Sequence, residues 1–120
     1  MKFISYPTGR SDPFVIVRVG SGKQEKFKTK VVYRTLNPVW NEQITLAMPQ
    51  KHERVCVEVW DKDPLSQERL GSTHFNHDDL LHLGANENEK HWFDLDKAKS
   101  GEIQLQFTVV MPNVRKMFFC

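Results

Sequence analysis

The stretch 55-VCVEVWDKDPLSQERLG-71 decides how the rest of the chain is interpreted, because it passes from a strand into a loop and back. In Val55–Val59 every second residue is valine, a period of two that places the valines on one face of a strand. Pro64 cannot continue a paired central strand, so we predict a loop from Asp61 and a strand that resumes at Leu70.

This loop is rich in oxygen ligands. Asp61 and Asp63 are two residues apart, so in an extended backbone their carboxylates point the same way and can share one cation. Ser66, Gln67 and Glu68 add further oxygen atoms. An oxygen-only ligand set on a loop suits calcium better than zinc or copper. The alternative is a solvated acidic turn, since Asp-x-Asp at the end of a strand is common.

The composition limits the classes of function. The chain has 120 residues, of which 39% are hydrophobic and 27% charged, values typical of one globular domain. A net charge of +2 is too small to indicate nucleic-acid binding, so any electrostatic function must come from local patches. Cys56 and Cys120 form neither a disulfide framework nor a zinc motif, which favours a reducing, cytoplasmic setting. We find no signal peptide and no membrane-spanning apolar run, so we expect any membrane contact to be peripheral.

Lysines follow one face of a second predicted strand, 23–33. Lys26, Lys28 and Lys30 alternate with apolar or small residues, and Arg18 lies on the preceding strand. One interpretation is a solvated strand face whose lysines discourage edge pairing. The other is a cationic strip for anionic lipid headgroups. It lacks the interleaved exposed aromatic residues that stack on nucleic-acid bases, so nucleic acid is not a predicted partner.

The remaining pattern predicts an all-β fold. A helix of one or two turns is expected near 77–83, capped by Asn76 or Asp78 and ended by Gly84. Short strands at regular spacing without a βαβ rhythm indicate an antiparallel sandwich. Besides those above, strands are predicted at 14–19, 39–48, 70–75, 91–95 and 102–110.

Four motifs in this order resemble the C2 domain, the calcium- and lipid-binding module of protein kinase C, synaptotagmins and many trafficking proteins. They are Ser11-Asp12-Pro13-Phe14, Leu36-Asn37-Pro38-Val39-Trp40-Asn41-Glu42, Val59-Trp60-Asp61-Lys62-Asp63 with Leu70-Gly71, and Trp92-Phe93-Asp94-Leu95. The resemblance covers roughly Pro7 to Val110. It implies a single domain, an antiparallel eight-stranded Greek-key β-sandwich with calcium loops at one end. A strand at Glu102–Val110 after the Trp92–Leu95 strand resembles the permuted, type II, topology.

The resemblance implies a calcium site with one ligand missing. Its loop carboxylates fall on Asp12, Asp61, Asp63 and Glu68, whereas an earlier aspartate of the family falls at or near Tyr6. Losing one carboxylate of about five lowers the ligand charge and weakens calcium affinity.

The family's second lipid site, a lysine-rich strand face that binds phosphoinositides, falls on Arg18, Lys28 and Lys30, with Lys26 alongside. Calcium bound in the loops makes that end attract anionic lipid, and Leu65 at a loop tip is a candidate for insertion.

The permuted fold normally has a full strand before the first loop, yet only Met1–Ser5 precede Tyr6 here. We therefore expect the first strand to be short or missing. We hypothesise that Val114–Phe119, or the same segment of a second copy, covers the open edge. The domain would then be a monomer or an edge-paired dimer, and residues 111–120 would dock or remain a mobile tail.

The leading prediction is a non-enzymatic module of signalling or trafficking that docks peripherally on phosphatidylserine and phosphoinositides with the help of calcium. The alternative is a calcium-independent protein-interaction domain. An enzyme is disfavoured, because the five histidines are scattered and suggest no catalytic triad. His74 and His77 near Asp78 are candidates for a transition metal, but ordinary surface histidines explain them better.

Overall fold

In the computed structural model, the described residues form nine strands and one helix, arranged as two antiparallel sheets around a common core. The structure describes residues 2–4, 12–20, 25–32, 39–47, 49–62, 67–84, 90–96, 101–110 and 116–119. The elements are β1 Lys2–Ile4, β2 Pro13–Val19, β3 Glu25–Lys28, β4 Ile44–Ala47, β5 Arg54–Lys62, β6 Gln67–Asn76, α1 His77–Gly84, β7 Lys90–Asp94, β8 Glu102–Val110 and β9 Lys116–Phe119.

The four-stranded sheet has the order β3-β2-β5-β6, and its strands β5 and β6 contain residues 55–62 and 67–71. Alternate residues of its two central strands point into the core, and Val17 and Val57 pair directly across them. Because successive residues of a strand face opposite sides, Arg18 and Glu58 lie on the outer face of this sheet. The inward valines are Val15, Val17, Val19, Val55, Val57 and Val59.

The other sheet has five strands in the order β1-β8-β9-β4, with β7 also paired to β8. The strand predicted at 102–110 is confirmed as β8, and its alternate residues Ile103, Leu105 and Phe107 are buried in the core. On β7, Phe93 packs against the core while its neighbour Trp92 is 40% exposed. The two rings therefore face opposite sides, as adjacent strand residues must.

Two short strands explain why nine strands are described rather than the eight expected. β1 has only three residues, which pair with Glu102–Gln104 of β8, so the first strand is short as predicted. β9 pairs antiparallel with residues 107–110 of β8 on one side and with β4 on the other. Residues 116–119 thus lie between β8 and β4 of their own chain, which is the intramolecular version of the hypothesis that the C-terminal segment covers an open sheet edge. The version in which a second copy supplies this segment remains a prediction.

The lysine-bearing strand is shorter than its alternation suggested. The hydroxyl of Thr29 accepts a hydrogen bond from the Val15 N–H at 2.8 Å, and the Thr29 N–H donates to the Val15 carbonyl at 2.9 Å. A buried side chain thereby replaces a backbone acceptor of the ladder. β3 consequently ends at Lys28, although backbone bonding to β2 continues through Val32.

The predicted helix is present, and Asn76 caps it. The Asn76 side-chain oxygen accepts from the Asp79 N–H at 2.8 Å, and the Asp79 carboxylate accepts from the Asn76 N–H at 3.0 Å. This reciprocal pair is a capping box, which satisfies two of the donors that a helix start leaves open. Within the described ranges, no helix is both long and apolar enough to cross a membrane.

Candidate functional site

Strand register brings two predicted calcium ligands together at one end of the sandwich. Pro13 of β2 lies opposite Asp61 of β5, which places Asp12 beside Asp61. The Asp12 N–H donates to Asp61 Oδ1 at 2.8 Å, and the Lys62 N–H donates to the Asp12 carbonyl at 3.0 Å. These bonds fix the backbone of one aspartate against the carboxylate of the other. Both residues remain partly exposed.

The third described acid of the set, Glu68, lies directly opposite Asp61 on β6 and is exposed. Asp12, Asp61 and Glu68, here called the acidic end, thus come from three neighbouring strand ends. No group of three or more His, Cys, Asp or Glu side chains in the described ranges is arranged to hold a metal ion. The remaining predicted residues, Asp63, Leu65 and Tyr6, lie outside the described residues.

The chemistry of the acidic end fits a hard cation. Asp12 and Asp61 supply carboxylate oxygens, the donors that calcium prefers, and no sulfur or imidazole ligand belongs to the set. One oxygen of Asp61 already accepts a backbone hydrogen bond, which holds that side chain in place. If a calcium ion bound here, the described residues would supply part of its oxygen ligands.

Trp40 stabilises the backbone next to the acidic end. Its side chain is fully buried, and its Nε1–H donates to the Pro13 carbonyl at 3.3 Å. The Val32 N–H donates to the same carbonyl at 3.0 Å. A buried aromatic ring and two hydrogen bonds thus anchor the residue that follows Asp12. The sequence motif that contains Trp40 did not reveal this role.

The predicted basic residues lie on the outer face of the four-stranded sheet. Lys26 of β3 is directly opposite Arg18 of β2, and Lys28 is opposite Ile16. Lys26 and Lys28 are exposed, and Lys28 Nζ lies 4.5 Å from the centre of the Phe14 ring, a cation–π contact. We call Arg18, Lys26 and Lys28 the basic face.

Lys30 follows the end of β3 and is exposed. Its backbone N–H donates to Glu42 Oε2 at 2.9 Å. The four basic residues singled out in the sequence therefore lie on β2, on β3 or two residues after β3, and three of them share one surface.

A buried acid lies at the centre of this outer face. Glu58 of β5 accepts from Arg18 Nε through Oε1 at 2.8 Å and from Arg69 Nη1 through Oε2 at 3.1 Å. Its side chain is 8% exposed, whereas those of the arginines are 32% and 37% exposed. We call these three residues the arginine clamp.

The clamp determines the ionisation of Glu58. Burial by itself raises the pKa of this carboxyl, because a charged group loses hydration. The hydrogen bonds from Arg18 and Arg69, the charge of Arg18 and a contact from Trp60 Nε1 at 3.4 Å act in the opposite direction and prevail. The pKa of Glu58 is therefore below its usual value, and the residue is an anion at neutral pH.

Sequence reasoning did not single out Glu58 or Arg69. Glu58 was visible only as an outward residue of a valine-rich central strand, and its partners are 40 and 11 residues away. The register of β5 with β6 also shifts between Val59 and Trp60, so that Trp60 pairs with Arg69. An acid at an outward position of a central strand was the one available signal, since such a group needs a cation beside it.

The architecture defines a class: a β-sandwich module with an acidic loop end and a basic strand face. The chain belongs to the C2 domain family, whose model matches residues 2–95. Extended synaptotagmin-2-A of Xenopus laevis is 34% identical over 107 residues, which are 88% of this chain and 12% of that protein. Synaptotagmin-5 of Arabidopsis thaliana is 33% identical over 98 residues, 81% of this chain and 17% of that protein.

Among solved structures, a calcium-bound structure of two C2 domains of extended synaptotagmin 2 matches with a TM-score of 0.65 and 25% identity. The match covers 89% of this chain and 44% of that one. The chain is thus homologous to the C2 domains of synaptotagmins and extended synaptotagmins. It spans less than a fifth of the length of the two synaptotagmin relatives above.

Proposed function

We propose that this domain is a non-enzymatic module that docks peripherally on anionic membrane surfaces from the cytoplasmic side. The observation that carries the proposal is the basic face, where Lys26, Lys28 and Arg18 lie together on one solvent-facing strand surface. Each lysine near an anionic bilayer contributes about 1 kcal/mol of attraction. The preferred ligands are phosphatidylserine and phosphoinositides.

The acidic end adds calcium dependence to this docking. Asp12 and Asp61 are the first ligands, and Asp63 and Glu68 complete the set. Support comes from the fixed Asp12–Asp61 pair and from a homologous structure that is calcium-bound. The ion would neutralise this end and allow Leu65 to approach the bilayer, because uncompensated carboxylates repel anionic lipid. The missing carboxylate at Tyr6 gives an affinity below that of relatives with a complete set.

A second candidate is a calcium-independent protein-interaction domain. The observation in its favour is that Asp61 Oδ1 already accepts the Asp12 N–H, a loop-stabilising role that requires no metal. In that case the acidic end would stabilise the loops and the basic face would bind an acidic protein surface.

Co-sedimentation with vesicles separates these candidates. Three kinds of vesicle are tested, each with calcium and with chelator. They contain phosphatidylcholine alone, phosphatidylcholine with phosphatidylserine, or phosphatidylcholine with both phosphatidylserine and phosphatidylinositol 4,5-bisphosphate. We expect the double variant Lys28→Ala, Lys30→Ala to bind on the order of thirtyfold more weakly, about 1 kcal/mol per lysine. Lys90→Ala removes one exposed cation from the other sheet and is the control that should bind normally.

Calcium-dependent binding that is lost in Asp61→Asn, Asp63→Asn would establish the acidic end as a switch. Binding that ignores calcium but needs Lys28 and Lys30 would assign docking to the basic face and the neighbouring Lys30, without the acidic end. Absence of binding to every vesicle would exclude membrane docking and leave the protein-interaction candidate.

A further inference from the structure

The arginine clamp gives the basic face a feature that a lysine strip alone does not have. Glu58 and its two arginines lie on three adjacent strands, with Arg18 on β2, Glu58 on β5 and Arg69 on β6. Lys28, Ile16 and Glu58 occupy one cross-strand row, so the clamp continues the row that Lys28 begins. The basic face and the clamp together therefore span all four strands, a distance of about 14 Å at ordinary strand spacing. They contain one anion, Glu58, and four cations: Lys26, Lys28, Arg18 and Arg69.

The clamp leaves much of each arginine available. Arg18 uses Nε and Arg69 uses Nη1 in these contacts, and a guanidinium has five N–H donors. About a third of each side chain is exposed, whereas the acid between them is almost completely covered. Glu58 thus holds two arginine side chains that are about one-third exposed, while it presents little of its own charge to a ligand.

We propose that Glu58 is a positioning residue and that Arg69 belongs to the lipid-binding site. In this arrangement Arg18 and Arg69, held by Glu58, recognise an inositol headgroup that carries several phosphates, and the lysines supply long-range attraction. The inference rests on the proposed function of the basic face. It extends that face to β6 and assigns it selectivity among anionic lipids.

The chemistry of the two cations supports this division of roles. Guanidinium groups bind phosphate through two parallel hydrogen bonds in a fixed planar geometry, whereas an ammonium acts as a mobile point charge. A side chain that is fixed before binding loses less conformational entropy when the ligand arrives. Fixed arginines therefore favour a ligand with clustered phosphates over scattered single charges of the same total.

Other charged groups face the clamp as well. Arg54 and Cys56 precede Glu58 on the same face of β5, and His74 of β6 lies opposite Cys56. The Cys56 thiol is largely protonated because burial and the Glu58 charge raise its pKa. None of these residues adds an anion, so Glu58 is the one acid that this outer face presents among the described strands.

Because Glu58 is the one acid on this face among the described strands, Glu58→Gln distinguishes two possible roles of its charge. If the acid only opposed the cations, its removal would strengthen binding to every anionic vesicle by a similar factor. If it positions the arginines, its removal instead abolishes selectivity. The readout is therefore a preference: the ratio of dissociation constants for phosphatidylserine vesicles with and without phosphatidylinositol 4,5-bisphosphate, at equal total lipid charge and with chelator present.

We expect Glu58→Gln to lower this preference at least threefold, with unchanged or higher affinity for vesicles that contain only phosphatidylserine. Arg69→Gln and Arg69→Lys should both lower it, the second because charge without a guanidinium is insufficient. Lys90→Gln, the matched loss of one cation elsewhere, should leave the preference intact. Arg69 is exposed near the start of β6, so its variants carry the test even if Glu58→Gln does not fold.

An independent readout is the Nε–H resonance of Arg18 in ¹H–¹⁵N NMR spectra. In the wild type it should be protected from exchange with water, and in Glu58→Gln this protection should be lost. Competition by soluble inositol 1,4,5-trisphosphate distinguishes a free ligand, which would displace the domain at stoichiometric concentration, from a membrane lipid, which would need a large excess.

Failure of this inference differs from failure of the proposed function. If the wild type prefers the phosphoinositide and loses binding in Lys28→Ala, Lys30→Ala, but Arg69→Gln behaves like Lys90→Gln, the assignment of Arg69 is wrong. Parallel gains in both affinities for Glu58→Gln would overturn the positioning role. If the wild type binds no anionic vesicle, the proposed function and this inference fall together.

Discussion

At the scale of single residues, one buried carboxylate organises the charge of the outer sheet face. Glu58 is almost fully covered, yet it is ionised because two guanidinium groups replace the water that it loses. Its neighbours Arg18 and Arg69 in turn gain fixed positions. Burial, and after it the charge of the same acid, raises the pKa of the adjacent Cys56 thiol, so the ionisation of neighbouring side chains is linked.

The lowered pKa of Glu58 makes a pH-dependent contribution to stability. A carboxyl with a lower pKa in the folded state stabilises the fold above its unfolded pKa, near 4.5, and this stability is lost as the pH falls through the folded value. We expect Glu58→Gln to lower the free energy of unfolding at pH 7 by about 1–3 kcal/mol, less than for a fully buried pair because the arginines reach water. Urea denaturation between pH 3 and 7 measures this. The difference from wild type should shrink towards pH 3, and a difference independent of pH would contradict the linkage.

Cys56 should react slowly with thiol reagents. Burial, followed by the Glu58 charge, raises its pKa, so less thiolate is present at neutral pH. In a Cys120→Ser background, we expect its reaction with a disulfide reagent at pH 7.5 to be at least tenfold slower than in the urea-unfolded chain. Glu58→Gln should accelerate it, because the remaining charges of Arg69, Arg18 and Arg54 lower the pKa. A reaction as fast as in the unfolded chain would contradict this.

At the scale of elements, the sequence predicted what depends on local pattern. The alternation in Val55–Val59 and in Glu102–Val110 predicted β5 and β8, since a period of two needs no partner to be visible. The arginine clamp was not predictable, because it depends on which residues β2, β5 and β6 place opposite one another. The Asp12–Asp61 contact likewise requires the β2–β5 register, and only the family resemblance anticipated it.

The short strand β9 is the element on which the five-stranded sheet depends most. Its four residues are the connection, among the described strands, between β4 and β8. Phe118→Pro removes a ladder N–H within a strand paired on both sides. We expect a loss of about 1–3 kcal/mol in the free energy of unfolding, the cost of a buried group left without its hydrogen-bond partner. Lys90→Pro, at the first residue of β7, is the control, because the first residue of a strand tolerates proline. Equal stability of the two variants would show that β9 contributes little to the fold.

At the scale of the whole molecule, a mild net charge conceals a strongly uneven distribution. The chain carries +2 overall, yet Arg18, Lys26 and Lys28 lie together on the β2–β3 surface. Asp12, Asp61 and Glu68 meet at one end of the sandwich. The net charge of the chain therefore indicates little about what it binds, whereas the positions of charged residues on paired strands indicate where an anionic or a cationic ligand would bind. This arrangement predicts docking with one face of the sandwich towards the bilayer and the other sheet towards the solvent.

The most direct test is ¹H–¹⁵N NMR mapping on lipid nanodiscs that contain phosphatidylserine and phosphatidylinositol 4,5-bisphosphate. We predict that the largest amide shifts and line broadening fall on β2 and β3, extend to Arg69, and reach Asp12 and Asp61 when calcium is added. β7 and the exposed Trp92 should be unaffected. Perturbations centred on β7 and β8, or none on any strand, would contradict docking through the basic face.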